Sequence, residues 1–203
     1  MIYVNSRPLN ARPAPKTTNR RYEWRDFSDD SQGSEALIRE RFEFDRDETR
    51  VDKYFLLPGR AGQITKMNDN EVFEIKTLIE EDGPLELWET TVKSTVPMRR
   101  TLARSIAAKI PKFSGPVIGS MSADELSDSL ERKTRFFKVK TKRETFKRGD
   151  VTAKISRARV GDTHTLSIAF ECDTAEPLLE ELKALGLRRR ENTNYATFLM
   201  NNA

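Results

Sequence analysis

The sequence predicts an α+β fold built on antiparallel strands, and three observations carry that prediction. Apolar and polar residues alternate with period two in several separate runs, the periodicity of strands with one buried face. Those runs follow one another through short Gly, Pro, Asn and Asp turns, without the regular strand–helix alternation of a parallel sheet. Helical spacing of apolar residues interrupts them at only a few places.

In chain order, residues 21–27 read as a first short strand. Residues 31–44, with Leu37, Ile38 and Phe42 at helical spacing, read as a helix. Residues 49–57 form a strand closed by the Pro58-Gly59 turn signal. Residues 63–67 and 71–80 form two strands joined at Asn68-Asp69-Asn70, the second with Phe73, Ile75 and Ile79 on one face and Glu74 and Lys76 on the other. Beyond Asp82-Gly83-Pro84 the chain continues extended over 85–95, then turns helical over 98–110, where Leu102, Ile106 and Ile110 recur every four residues and Pro111 ends the run. Ser122 with Glu125 matches a capping box and predicts a helix to about Arg132.

Three strands follow. Residues 135–146 set Lys138, Lys140 and Lys142 against Phe137, Val139 and Thr141; after Arg148-Gly149-Asp150, residues 151–160 set Val151, Ala153 and Ile155 against Thr152, Lys154 and Ser156. Residues 165–172 set Leu166, Ile168, Phe170 and Cys172 against Thr165, Ser167, Ala169 and Glu171. A helix over 175–185 stops at Gly186, and Asn194-Tyr195 and Phe198-Leu199 close the chain. With no internal repeat and no second linker, residues 21–203 are expected to be one domain behind a basic, flexible Pro/Arg-rich tail over 1–20.

Composition narrows the chemistry. The 36 Lys and Arg against 32 Asp and Glu give a formal charge of +4, which favours anionic partners without identifying one. Cys172 and His164 are the only cysteine and histidine, so an internal disulfide and a multi-cysteine metal site are excluded. Along one strand the two stand roughly 26 Å apart, at about 3.3 Å per residue, too far for a Cys/His nucleophile. Cys172 is expected in the core. No run is apolar for long enough to cross a membrane. Residues 1–21 lack the apolar middle of a secretory signal, so cytoplasm is the expected compartment.

Titratable residues recur on the polar faces of separate strands: Glu23 and Arg25; Glu74 and Lys76; Lys138, Lys140 and Lys142; Lys154; Glu171. Two arrangements produce this pattern. One is an antiparallel sheet with a wet face. The other is a closed barrel whose apolar faces are covered by helices and whose polar faces line a tunnel. In a tunnel, lysines would neutralise phosphate oxygens, and carboxylates could hold Mg²⁺ or Mn²⁺ against them.

From about Tyr22 to Leu199 the order of elements resembles the CYTH family, or triphosphate tunnel metalloenzymes, which includes class IV adenylate cyclases, thiamine triphosphatases and inorganic triphosphatases. The resemblance is clearest where Val151-Thr152-Ala153-Lys154-Ile155 leads through Gly161 to a strand, then to Leu185-Gly186-Leu187 and Asn194-Tyr195 with Leu199. Asp52-Lys53-Tyr54-Phe55 is similar to the family's Asp-x-Tyr-Tyr/Phe strand. The resemblance implies an antiparallel β-barrel tunnel with helices packed outside, binding a triphosphate- or polyphosphate-type anion. It also implies a Mg- or Mn-dependent phosphoanhydride hydrolase. Carried over by position, Arg25, Lys76, Lys138, Lys140 and Lys154 would bind phosphate, and Glu23, Glu74 and Glu171 would bind metal.

Departures bear on catalysis. The family's opening Glu-x-Glu-x-Lys is here Arg21-Tyr22-Glu23-Trp24-Arg25, and its later Glu-x-Glu strand keeps at most one carboxylate, at Glu171. The expectation is a tunnel that keeps its cations and has lost part of its metal cage. The alternatives are a non-catalytic interaction protein of the same fold, or a basic nucleic-acid-binding domain. Against the latter, the lysine strand offers no stacking platform beyond Phe136 and Phe146.

Overall fold

A computed structural model describes residues 19–27, 32–99, 102, 106, 109, 110 and 120–202. The elements are β1 (Arg20–Asp26), α1 (Gln32–Arg41), β2 (Glu43–Leu56), β3 (Gln63–Asn68), β4 (Val72–Asp82), β5 (Leu85–Thr95), β6 (Met98–Arg99) and β7 (Ser120–Met121). They continue with α2 (Ala123–Glu131), β8 (Arg135–Arg148), β9 (Val151–Val160), β10 (Thr163–Cys172), α3 (Ala175–Ala184) and α4 (Tyr195–Asn202). Eight strands close an antiparallel barrel in the order β1-β10-β9-β8-β2-β3-β4-β5, while β6 and β7 pair separately. Of the two arrangements the alternation allowed, the closed barrel is the one formed.

Local chemistry sets the joints. The β3–β4 turn places Asp69 and Asn70 at φ 48° and 60°. Two successive left-handed residues make a tight hairpin, and short polar side chains tolerate that backbone best. Ser122 Oγ accepts from the Glu125 N–H at 3.3 Å while Glu125 Oε2 accepts from the Ser122 N–H at 2.8 Å, so the expected capping box starts α2. At the end of α3, Gly186 sits at φ 71°. The Leu187 N–H donates to Leu182 O and the Gly186 N–H to Lys183 O, which satisfies two carbonyls left open by the helix end.

Apolar residues collect in three places. Trp24, Ile155, Phe170, Leu178 and Leu182 fill the layer between the barrel and helices α1 and α3. Phe55, Met67, Phe73, Ile75, Leu126 and Leu130 fill the layer under α2. The third cluster closes one end of the barrel interior, where Tyr54, Ile64, Trp88, Phe137 and Val139 meet Tyr195 and Leu199 of α4.

Some boundaries differ from expectation. The last α1-type bond is Phe42 N–H to Ile38 O, and β2 starts at Glu43, six residues before the expected strand. The reason is non-local: β8 is long enough to pair Glu43 with Lys147. Met98 and Arg99, expected to begin a helix, form β6, whereas Leu102, Ile106 and Lys109 are helical. The remainder of that expected helix lies outside the described residues, as do residues 1–18 of the expected tail. Arg20, assigned to the tail, is the first residue of β1. Among the described residues no helix is long and apolar enough to cross a membrane.

Candidate anion-binding lumen

The barrel encloses a cavity of about 640 Å³, and every one of its eight strands contributes a side chain to the lining. Tyr54, Ile64, Trp88 and Tyr195 form its apolar floor, at the end closed by α4. Above them the lining carries nine cationic side chains, from Arg20, Arg21, Arg25, Arg50, Lys66, Lys76, Lys93, Arg143 and Lys154. Four carboxylates line the cavity with them, from Glu23, Glu74, Glu86 and Glu171, and four more behind the lining hold arginines: Glu89 on Arg20, Asp173 on Arg21, Asp52 on Arg50 and Glu48 on Arg143. The pleat explains the concentration. Strand neighbours such as Tyr22, Trp24, Phe73, Ile75, Phe170 and Cys172 point outward into the helix-covered layers, leaving the charged alternates inside.

Carboxylates and lysines interleave. Across β5, β1 and β10, Glu86, Glu23 and Glu171 stand directly opposite one another in register. Like charges so placed repel. Lys76, at 2.5 Å from Glu23, and Lys154, bonded to Glu171, relieve that repulsion, and Arg21 adds a contact to Glu171 at 3.4 Å. Glu74 faces its cross-strand partner Lys66 at 3.4 Å. Glu86 has a different setting: it accepts from Trp88 Nε1 at 3.0 Å and from Asn194 Nδ2 at 2.8 Å.

These contacts move the titrations. Burial pushes the Lys154 ammonium down to about 8, against the pull of Glu171 and with the help of Arg143 and Lys76. Burial also works against ionisation of Glu171, but Lys154, Lys76 and Arg25 outweigh it and hold the carboxyl well below its usual range. The desolvation of Lys76 is likewise overcome, by Glu23, Glu171 and Glu74, and its affinity for the proton rises. Lys66 is shifted down by burial despite Glu74. Burial raises Glu86, and its two hydrogen bonds only partly offset this.

No protein-family model and no curated protein matches the sequence. Solved structures do match in three dimensions. A conserved hypothetical protein from Pyrococcus furiosus superposes with a TM-score of 0.57 at 16% identity, covering 87% of this chain and 98% of its own. A protein from Pyrococcus horikoshii OT3 gives 0.57 at 14% identity over 85% and 94% of the two chains. A candidate adenylyl cyclase from Hippeastrum, described as having a dominant triphosphatase activity, gives 0.51 at 12% identity over 90% and 97%. The fold is that of the CYTH, or triphosphate tunnel, proteins.

Of the residues singled out in the sequence, the tunnel brings together Arg25, Lys76, Lys154, Glu23, Glu74 and Glu171. Lys138 and Lys140 are corrected: both are exposed on the outer wall. Alternation shows which residues share a face but not which face is inside. Along this part of β8 the inward alternates are Phe137 and Val139, which build the apolar floor, and the outer side carries the lysines. Sequence reasoning missed Arg50, Lys66, Arg143 and Glu86. Lys66 was findable as the hairpin partner of Glu74, and Arg143 as the inward continuation of Phe137, Val139 and Thr141. Asn194 stood in the Asn194-Tyr195 element of the resemblance but was given no site role, and Asn192 carried no signal. They line the tunnel because the Arg25 N–H donates to Asn192 Oδ1 and the Thr193 N–H to Arg25 O, along the part of β1 that β5 does not reach.

Among the described residues no group of three or more His, Cys, Asp or Glu side chains converges as a metal site. Three of the four tunnel carboxylates already have a lysine partner, and Glu86 is held by Trp88 and Asn194. Mg²⁺ and Mn²⁺ need several oxygen ligands in near-octahedral array. The donor set of Glu23, Glu74 and Glu171 does not fit such an ion, because ammonium groups take up the charge a divalent cation would neutralise.

Proposed function

We propose that this tunnel binds a triphosphate- or polyphosphate-type anion through its lysines and arginines, without a metal ion. The convergence of nine lysine and arginine side chains on one walled cavity carries the reading. A low-dielectric wall around one sign of charge focuses the field on its contents, and cations aimed at phosphate oxygens form the stronger class of hydrogen bond.

Arg143, Lys154, Lys76 and Lys66 come from β8, β9, β4 and β3, so the cations converge from different sides. Arg25 is pre-positioned: its guanidinium donates to Ser167 Oγ at 2.7 Å and lies over the Tyr195 ring at 4.5 Å. A fork held flat in this way loses little freedom on meeting an anion. An incoming phosphate chain competes with Glu23, Glu74 and Glu171 for the lysines, and with Asp52 and Glu48 for Arg50 and Arg143.

Calorimetric titration of tripolyphosphate, pyrophosphate and orthophosphate in metal-free buffer tests this. The expected result is one site per chain and affinity rising steeply with phosphate number. Equal, weak affinity for all three would refute it. A parallel phosphate-release assay with and without Mn²⁺ separates a binding tunnel from a hydrolase.

A further inference from the structure

The lysines that the tunnel leaves outside form a surface of their own. Lys138, Lys140 and Lys142 are exposed on the outer face of β8, and Arg157 and Arg159 on that of β9. In register, Lys140 stands opposite Arg159, Lys142 opposite Arg157, and Lys138 opposite Lys53 of β2. His164 of β10, also exposed, is the next partner of Arg159. Like charges directly opposite on adjacent strands are destabilising.

Elsewhere on the outer surface the protein mixes signs. Arg39 meets Glu144 at 2.5 Å, Arg148 meets Glu181 at 2.9 Å, and Lys147 meets Asp45 at 2.9 Å. Arg157 itself is held by Glu35 at 2.7 Å. Among the described residues, Lys138, Lys140, Lys142 and Arg159 have no ion-pair partner. Alternate residues on a strand are about 6.7 Å apart and neighbouring strands about 4.8 Å apart. The four cations therefore make a narrow strip roughly 13 Å long, a shape that suits a line of charges better than a compact anion. Phe136 follows the same outward alternation at one end and is 36% exposed.

We propose that this strip is a docking surface for the phosphate backbone of a single-stranded nucleic acid, distinct from the tunnel and independent of what the tunnel binds. Four phosphate contacts set the expected salt dependence, a slope of log affinity on log salt near −3, at about −0.7 per contact for a single strand. With one aromatic side chain at its edge and no donors arranged for base edges, the strip binds without sequence preference.

The test is fluorescence anisotropy of the full chain with a 20-nucleotide single-stranded RNA of mixed sequence, its 5′ end blocked by the dye, across 50 to 200 mM salt. The wild type should give a slope near −3. A Lys140→Glu, Arg159→Glu double variant should bind at least tenfold more weakly, with the slope reduced by roughly 1.4, while its melting temperature and tripolyphosphate affinity stay unchanged. Saturating tripolyphosphate at matched ionic strength should leave RNA binding intact. Full RNA binding by the double variant would overturn the proposal, as would displacement by tripolyphosphate or absence of binding at 50 mM salt. So would a strip-dependent attachment to anionic vesicles or long-chain polyphosphate in place of RNA.

Discussion

Lys154 gives the binding account its sharpest handle. Its ammonium, depressed to about 8 by burial, is roughly nine-tenths charged at pH 7 and one-tenth charged at pH 9. An anion in the tunnel binds the charged form, so affinity must fall as pH rises through 8. Over those two pH units the loss is about tenfold, or about 1.4 kcal/mol. Two neighbours stay fixed in this window: Glu171 is held well below 4.5, and Lys76 is raised above 10.5. Lys66 is also lowered, and the phosphate chain itself gains charge with pH, so the wild-type curve alone mixes several titrations. A Lys154→Arg variant separates them, because an arginine there stays charged throughout. Calorimetry at constant ionic strength between pH 6.5 and 9.5 gives the ratio of the two affinities, in which the shared titrations cancel. That ratio should change about tenfold in favour of the arginine variant between pH 7 and pH 9, with circular dichroism confirming the fold. A ratio that stays constant with pH would show that Lys154 does not contact the anion.

Other consequences follow from the same contacts. Glu74 and Glu171 have their affinity for protons lowered by the lysines around them, so their contribution to stability is complete above the unfolded value of 4.5 and is lost as pH falls through their folded values. Melting temperature should therefore drop steeply below about pH 4.5, and a flat acid limb would contradict the pairing. Trp24→Ala removes a side chain that is fully buried between the barrel wall and α3, and should cost about 3–5 kcal/mol in urea unfolding; a loss below 1 kcal/mol would mean the layer is not packed as described. Binding of tripolyphosphate should persist in EDTA, and a strict requirement for added Mg²⁺ would show that Glu23, Glu74 or Glu171 leaves its lysine to hold the ion.

What could be read in the sequence was what depends on local periodicity. Glu23 and Arg25, Glu74 and Lys76, Lys154 and Glu171 each alternate with residues such as Trp24, Ile75, Ile155 and Phe170, which bury themselves under helices, and that fixes their shared face. The capping box at Ser122 and the stop at Gly186 are equally local. The error at Lys138 and Lys140 has a different origin. Their alternates Phe137 and Val139 are apolar whether they meet an outer helix or an inner floor, and only the packing of α4 against Tyr54 and Trp88 decides between the two. Likewise, no local pattern announces that residues 192–194 run beside β1, or that β2 extends back to Glu43 to satisfy β8. Nor does any local pattern announce that Lys76 reaches Glu23 or that Lys154 reaches Glu171, contacts that exist only once the barrel closes.

A crystal of the protein soaked in tripolyphosphate without divalent cations tests the central claim most directly. The account predicts phosphate density inside the barrel, within hydrogen-bond reach of Lys66, Lys76, Arg143 and Lys154 and accompanied by lengthened Lys76–Glu23 and Lys154–Glu171 contacts. An empty lumen at saturating anion, or an anion seated only on the outer wall, would contradict it.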